Sequence, residues 1–171
     1  MKGSVYSRAD IDCLASTPLS DDHALRNRLF AGSAMLRQFS DVEGAEQTFR
    51  SLARSDKGQY SADVHHRLAR LYYEHRKAYA PALASATAAW KNRSRFLGDR
   101  KRKMFDVLLM LGSSHEQLFY QTGEARHRRQ AVLRFKSIVE DGGADAALAE
   151  MVGLAQKGLD RIEGGGQDSE L

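Results

Sequence analysis

Residues 61–90 read SADVHHRLARLYYEHRKAYAPALASATAAW, and this stretch decides the fold class. Its first half repeats apolar residues at helical separations, as at Val64 and Leu68. Its second half is rich in alanine and leucine, which favour helix over strand. The stretch therefore predicts two consecutive helices, with Ser61 as the cap of the first and Ala80-Pro81 as the start of the second.

Further helices are predicted on both sides of this stretch, because the chain contains only two prolines to interrupt them. Two helices precede it, with caps at Ser20 and Ser40. Three follow it: one from about Asp99 to Tyr120, one between the breaks at Thr122-Gly123 and Asp141-Gly142-Gly143, and one from about Ala144 to Ile162. We therefore expect an all-α protein, with an N-terminal arm over residues 1–19, a helical domain over 20–163 and a disordered acidic tail over 164–171.

The predicted helices alternate in pairs, and the second helix of each pair repeats one spacing. The repeated sets are Ala45-Phe49-Leu52, Ala82-Ala86-Ala89 and Ala131-Phe135-Ile138, and the first helices carry the small residues Gly32, Ala69 and Gly112. This pattern resembles the tetratricopeptide repeat (TPR) family over roughly residues 21–140. The resemblance implies three TPR-like antiparallel helix hairpins in a right-handed superhelical array, closed by a C-terminal capping helix over residues 144–162.

The resemblance also implies a non-enzymatic protein-interaction module, an adaptor or scaffold that holds a partner protein or peptide in a groove lined by the first helix of each hairpin. The groove positions of the family correspond here to Arg26, Ser33, Arg37, Asp63, His66, Arg70, Tyr73, Glu74, Asp106, Ser113, Glu116 and Gln117. The alternative is that these polar faces are simply solvated. Some family members clamp a C-terminal carboxylate with lysine and asparagine, but Leu29, Ser33 and Leu109 occupy the corresponding positions.

Positive charge is concentrated in one part of the chain. Residues 91–136 contain twelve Lys and Arg against four acids, which gives this segment +8; since the whole chain carries +4, the remainder carries −4. The candidate basic patch consists of Lys91, Arg93, Arg95, Arg100, Lys101, Arg102, Lys103, Arg126, Arg128 and Arg129. This patch could bind an acidic protein or, as the alternative function, nucleic acid. The sequence contains no recognisable nucleic-acid-binding module, and a solvated helix face would show the same charges.

Signatures of catalysis and of metal binding are missing from the sequence. The six histidines do not form a His-Glu-x-x-His motif, and no glycine-rich loop lies between a strand and a helix. The single cysteine, Cys13, excludes an intrachain disulfide and lacks a histidine at motif spacing. We therefore predict no enzymatic activity, no cofactor and no metal.

The chain also lacks apolar segments of the kind that target or anchor proteins. The first residues do not read as a secretory signal, and the longest apolar run, Val107–Leu111, is too short to span a bilayer. We expect a cytoplasmic protein. Leu25, Leu29 and Leu36 would be partly exposed at the first end of the array, so we expect either the arm or a second subunit, in a homodimer, to cover them.

Overall fold

The structure is a computed structural model that describes residues 6–16, 18, 22–55, 58 and 60–164. Within these ranges it contains helices and no strand, so the all-α prediction is confirmed. The helices are α1 (Arg8–Ser16), α2 (Asp22–Phe39), α3 (Val42–Ser55), α4 (Ser61–Arg70), α5 (Tyr79–Lys91), α6 (Arg100–Thr122), α7 (Ala125–Gly142) and α8 (Ala149–Gly164). A π-helical segment, Leu71–Arg76, continues α4, and short 3-10 turns occupy Arg93–Arg95 and Ala146–Leu148.

Two helix boundaries confirm their sequence signals. The carboxylate of Asp99 accepts a hydrogen bond from the backbone N–H of Arg102 at 3.0 Å, which caps the start of α6. Gly123 ends the same helix with φ of 70°, a left-handed conformation that glycine adopts without a steric penalty from Cβ.

Three other boundaries differ from the prediction. Asp41, not Ser40, caps α3, because its Oδ1 atom accepts from the N–H of Gly44 at 2.8 Å. Ser61 is the first residue of α4 and makes no capping bond, and α5 begins at Tyr79, before Pro81. The predicted cap Ser20 and the tail beyond Gly164 lie outside the described residues.

Neighbouring helices along the chain pack against each other from α1 to α8, and α6 also contacts α8. The apolar side chains form two clusters: one holds α1, α2, α3 and part of α4, and the other extends to α8. Ile11 of α1 is fully buried in the first cluster, and the partly buried Leu25 and Leu29 of α2 pack against the same cluster. The predicted arm thus folds back onto α2 over residues 8–16.

Glycines on three helices let phenylalanine rings approach the backbone closely. Gly32 of α2 lies against the ring of Phe49, and Gly112 of α6 lies against the ring of Phe135. The opposite edge of the Phe135 ring contacts Gly158 of α8. These contacts fix how closely α2 approaches α3 and how closely α6 and α8 approach α7.

Candidate functional site

Three neighbouring cavities lie along the faces of α2, α4, α6 and α8. The first, of about 260 Å³, and the second, of about 380 Å³, share Ser33, Arg37 and Arg67 as wall residues. The second and the third, of about 470 Å³, share Arg70 and Glu74. We call this continuous concavity the groove.

The first cavity lies between the start of α2 and the start of α4, and its polar groups are mostly engaged. The Nε–H of Arg26 donates to the hydroxyl of Tyr60 at 2.6 Å. Asp63 is buried, pairs with the ammonium group of Lys103 and accepts a hydrogen bond from the backbone N–H of Leu97 at 3.2 Å. Asp63 therefore ties α4 to the start of α6 instead of facing the groove as a free acid.

The middle cavity is lined by three arginines and one carboxylate. Arg37 comes from α2, and Arg67 and Arg70 come from successive turns of α4. Glu74 is the carboxylate in its wall, and it is paired with Arg70 at 2.8 Å. Within the described residues, the side chain of Arg37 makes one hydrogen bond, to the carbonyl of Ser33 on its own helix at 3.4 Å.

The third cavity contains a histidine–aspartate pair between α4 and α6. The Nε2 atom of His66 lies 2.5 Å from Oδ2 of Asp106, and Arg70 lies 3.9 Å from the same oxygen. Burial raises the pKa of Asp106, but the hydrogen bond with His66 and the charges of His66, Arg70 and Arg102 outweigh it and hold this pKa below its usual value. Asp106 is thus ionised at neutral pH. Leu154 and Glu150 of α8 form the far wall.

Past the third cavity, the groove face is closed by contacts between helices. Glu116 is fully buried and accepts two hydrogen bonds from Arg161 of α8, at 2.7 and 2.8 Å. Tyr73 packs against the ring of Tyr79, and burial raises the pKa of its hydroxyl. Glu116 therefore ties α6 to α8.

Of the predicted groove residues, Arg26, Ser33, Arg37, Asp63, His66, Arg70, Glu74 and Asp106 line the three cavities. Tyr73, Ser113 and Glu116 line none of these three cavities. Gln117 lies next to Glu116 on α6 and is half-buried.

The predicted basic patch falls into two sets at opposite ends of α6. Residues 100–103 begin this helix, whereas residues 126–129 follow its last turn, about 30 Å away at 1.5 Å per residue. Several members are engaged: Lys101 with Asp145 at 2.6 Å, Arg126 with Glu124 at 2.5 Å, and Lys103 in its buried pair. The remaining engaged members are Arg93, stacked on Trp90, Arg95, bonded to the Gly58 carbonyl, and Arg128, bonded to the Ile162 carbonyl.

A pair of histidines lies between α6 and α7, away from the groove. The Nδ1 atoms of His115 and His127 are 2.8 Å apart, so one imidazole donates and the other accepts. Burial and the nearby charges of His127, Arg134 and Arg126 lower the pKa of His115 to about 4. The described part of the chain brings no three His, Cys, Asp or Glu residues together as a metal site.

Arg67 lines two of the cavities but is absent from the groove positions that the TPR resemblance implied. Asp63, Arg67, Arg70 and Glu74 follow one another at separations of four, three and four residues, so helical periodicity alone puts them on one face. The walls contributed by α8 were also missed, because the sequence indicates only a capping helix there and carries no sign of what it packs on.

Comparison of the chain with protein-family models, with curated proteins and with solved structures found no match. Among the described helices, none combines the length and the apolar character needed to cross a bilayer.

Proposed function

We propose that this protein is a non-enzymatic interaction module, an adaptor or scaffold, that holds a partner protein or peptide in the groove. The observation that carries the proposal is the continuity of the groove: its three cavities share wall residues from one end of α4 to α8. A concave surface of this length, lined by successive helices, fits an extended peptide or a partner helix better than a single small molecule.

We further propose that the helices form three TPR-like hairpins, α2–α3, α4–α5 and α6–α7, in a right-handed superhelical array that α8 closes. The same contact supports this proposal in the first and third hairpins, where a glycine of the first helix meets a phenylalanine of the second: Gly32 with Phe49 and Gly112 with Phe135. Ala69 and Ala86 occupy the corresponding positions of the second hairpin and are both buried.

The non-enzymatic role is supported by the state of the acids along the groove. Asp63, Asp106 and Glu116 each face a cationic or histidine partner on another helix. A carboxylate held in this way maintains the distance between helices, whereas a general acid or base needs an accessible oxygen or proton.

A comparative pull-down tests the groove. The full chain, Arg70→Glu and Arg37→Glu are used as baits, because both arginines line the groove and are exposed. Arg54→Glu is the matched control, since Arg54 is exposed on α3, outside the three cavities. We expect the wild type and Arg54→Glu to retain the same partner and the two groove variants to lose it. Equal recovery of that partner by all four baits would refute the proposal.

A further inference from the structure

The middle cavity of the groove holds more positive charge than its own residues neutralise. Arg37, Arg67 and Arg70 line it with one carboxylate, Glu74, which is already paired with Arg70. Within the described residues, neither Arg37 nor Arg67 lies within ion-pair distance of a carboxylate. The cavity therefore has an excess of two positive charges.

Arg67 makes this excess costly for the free protein. Arg67 is partly buried, and this burial, followed by the charge of Arg37, lowers its pKa, while Asp63 opposes the shift. Asp63 is committed to Lys103 and to the backbone N–H of Leu97 and so does not pair with Arg67. Cations withdrawn from water in proteins are normally paired, so a partly buried guanidinium beside two others and without a carboxylate partner points to an anion supplied from outside.

The shape and charge of the cavity indicate which anion fits. Leu36, Phe49 and Leu71 form apolar parts of its wall, and the guanidinium groups of the three arginines supply planar donors. Such donors bind the oxygens of a phosphate or carboxylate in pairs. A phosphate monoester carries −1.5 to −2 near neutral pH, which balances the excess charge, whereas a single carboxylate balances half of it.

Building on the proposed function of the groove, we propose that the cavity between α2 and α4 binds the phosphate group of a phosphorylated side chain on a peptide partner. Arg67 is the anchor at the base of the site, and Arg37 and Arg70 bind the phosphate from the two sides. Arg70 can serve both the ligand and Glu74, since a guanidinium has five N–H donors.

Fluorescence anisotropy with three degenerate peptide libraries tests the proposal. The libraries carry phosphoserine, glutamate or serine at one fixed central position and are otherwise identical. The full chain, Arg67→Met, Arg37→Met and the control Arg54→Met are titrated at constant ionic strength. We expect the wild type and Arg54→Met to prefer the phosphoserine library by at least about tenfold over both others, and Arg67→Met and Arg37→Met to lose this preference.

Circular dichroism melts of the same proteins show that the loss is local. Since Arg67→Met removes a partly buried cation that has no carboxylate partner among the described residues, we expect its melting temperature to equal or exceed that of the wild type. Inorganic phosphate, against chloride at equal ionic strength, should raise the melting temperature of the wild type and of Arg54→Met but not of Arg67→Met. Arg37 is exposed, so Arg37→Met keeps the test decisive if Arg67→Met fails to fold.

Three results would overturn the proposal. The first is that the wild type shows no preference for the phosphoserine library, and the second is that Arg67→Met and Arg37→Met keep the preference of the wild type. The third is that the wild type binds a single-stranded oligonucleotide of equal charge more tightly than the phosphoserine library, with an affinity that the two variants leave unchanged. The first result, together with a partner that Arg70→Glu loses in the pull-down, leaves the groove as a binding surface and removes only the phosphate site. Equal recovery of the partner by every bait refutes the groove itself.

Discussion

Replacing Gly158 by alanine isolates the contact that holds α8 against α7. A methyl carbon at this position would stand 2.5 Å from Cε2 and 2.7 Å from Cζ of Phe135, far inside the 3.5–4.0 Å at which carbon atoms attract one another. The ring has no free space to retreat into, because its other edge lies where a methyl carbon on Gly112 would be 2.6 Å away. The substitution therefore forces α8 away from α7 or distorts the rotamer of Phe135.

Gly153 provides the matched control, because it lies in the same helix and a methyl group there meets nothing within 4 Å. Both substitutions gain about 1 kcal/mol of helix propensity, since alanine is favoured over glycine in a helix by that amount. The difference between the two variants is then the overpacking cost alone, which is about 1–3 kcal/mol. For a chain of this length we expect the melting temperature of Gly158→Ala to fall below that of Gly153→Ala by roughly 3–10 °C.

Urea unfolding followed by circular dichroism measures both free energies of unfolding. Phe135→Leu in the Gly158→Ala background completes a double-mutant cycle, and we expect a coupling of about 1 kcal/mol or more between the two positions. If the free energies of unfolding of Gly158→Ala and Gly153→Ala differ by less than about 0.5 kcal/mol, Gly158 is not needed to accommodate the ring of Phe135, and the reasoning is refuted.

Three further predictions concern a histidine pair, a buried ion pair and the N-terminal helix. The pKa of His115 is about 4 in the folded protein, below its ordinary 6.5, so the unfolded state binds more protons between these two values. The contribution of His115 to the free energy of unfolding is therefore complete above pH 6.5 and is lost as the pH falls towards 4. We expect this loss, discounted for the half-exposed ring, to be about 1–2 kcal/mol in urea unfolding at pH 7.5 and 4.5, and His115→Gln to reduce it; an unchanged pH dependence in the variant would rule out His115 as its source. Asp63→Asn leaves Lys103 without its charge partner, and we expect a loss of about 2–4 kcal/mol in chemical denaturation, whereas a loss below 0.5 kcal/mol would show that the pair does not stabilise the fold. Ile11→Ala should cost about 2–4 kcal/mol because this side chain is fully buried under α2, and an unchanged melting temperature would mean that α1 does not dock in solution.

The sequence predicted the helices well because their signals are local. Periodic apolar residues, the cap at Asp99 and the left-handed Gly123 act within one or two turns, and each is legible in a short stretch of chain. Ser40 and Asp41 show the limit of this reading: both are good capping residues, and only the backbone conformation decides that Asp41 accepts the hydrogen bond. The π-helical turn at Leu71–Arg76 has no sequence signature of comparable strength.

The candidate site was predicted only in part, because it depends on which side chains meet across helices. The TPR resemblance predicted Arg37 and Arg70 as groove residues. Whether a charged side chain of the groove is paired depends on residues of other helices, which the sequence of one helix does not show. Asp63, predicted to face the groove, is tied to Lys103, which was assigned to the basic patch. That pairing, forty residues apart in sequence, leaves Arg67 without the nearest acid.

The sequence by itself determined that this chain is helical, where its helices start and stop to within a few residues, and which faces are apolar, since all three follow from propensity, capping and periodicity along a local segment. Only the tertiary structure decided that α1 covers α2, that Gly112 and Gly158 enclose Phe135, and that the cavity between α2 and α4 keeps an unneutralised Arg67. These features depend on distances between residues far apart in the chain. Such distances follow from how closely the helices pack, which no single segment specifies.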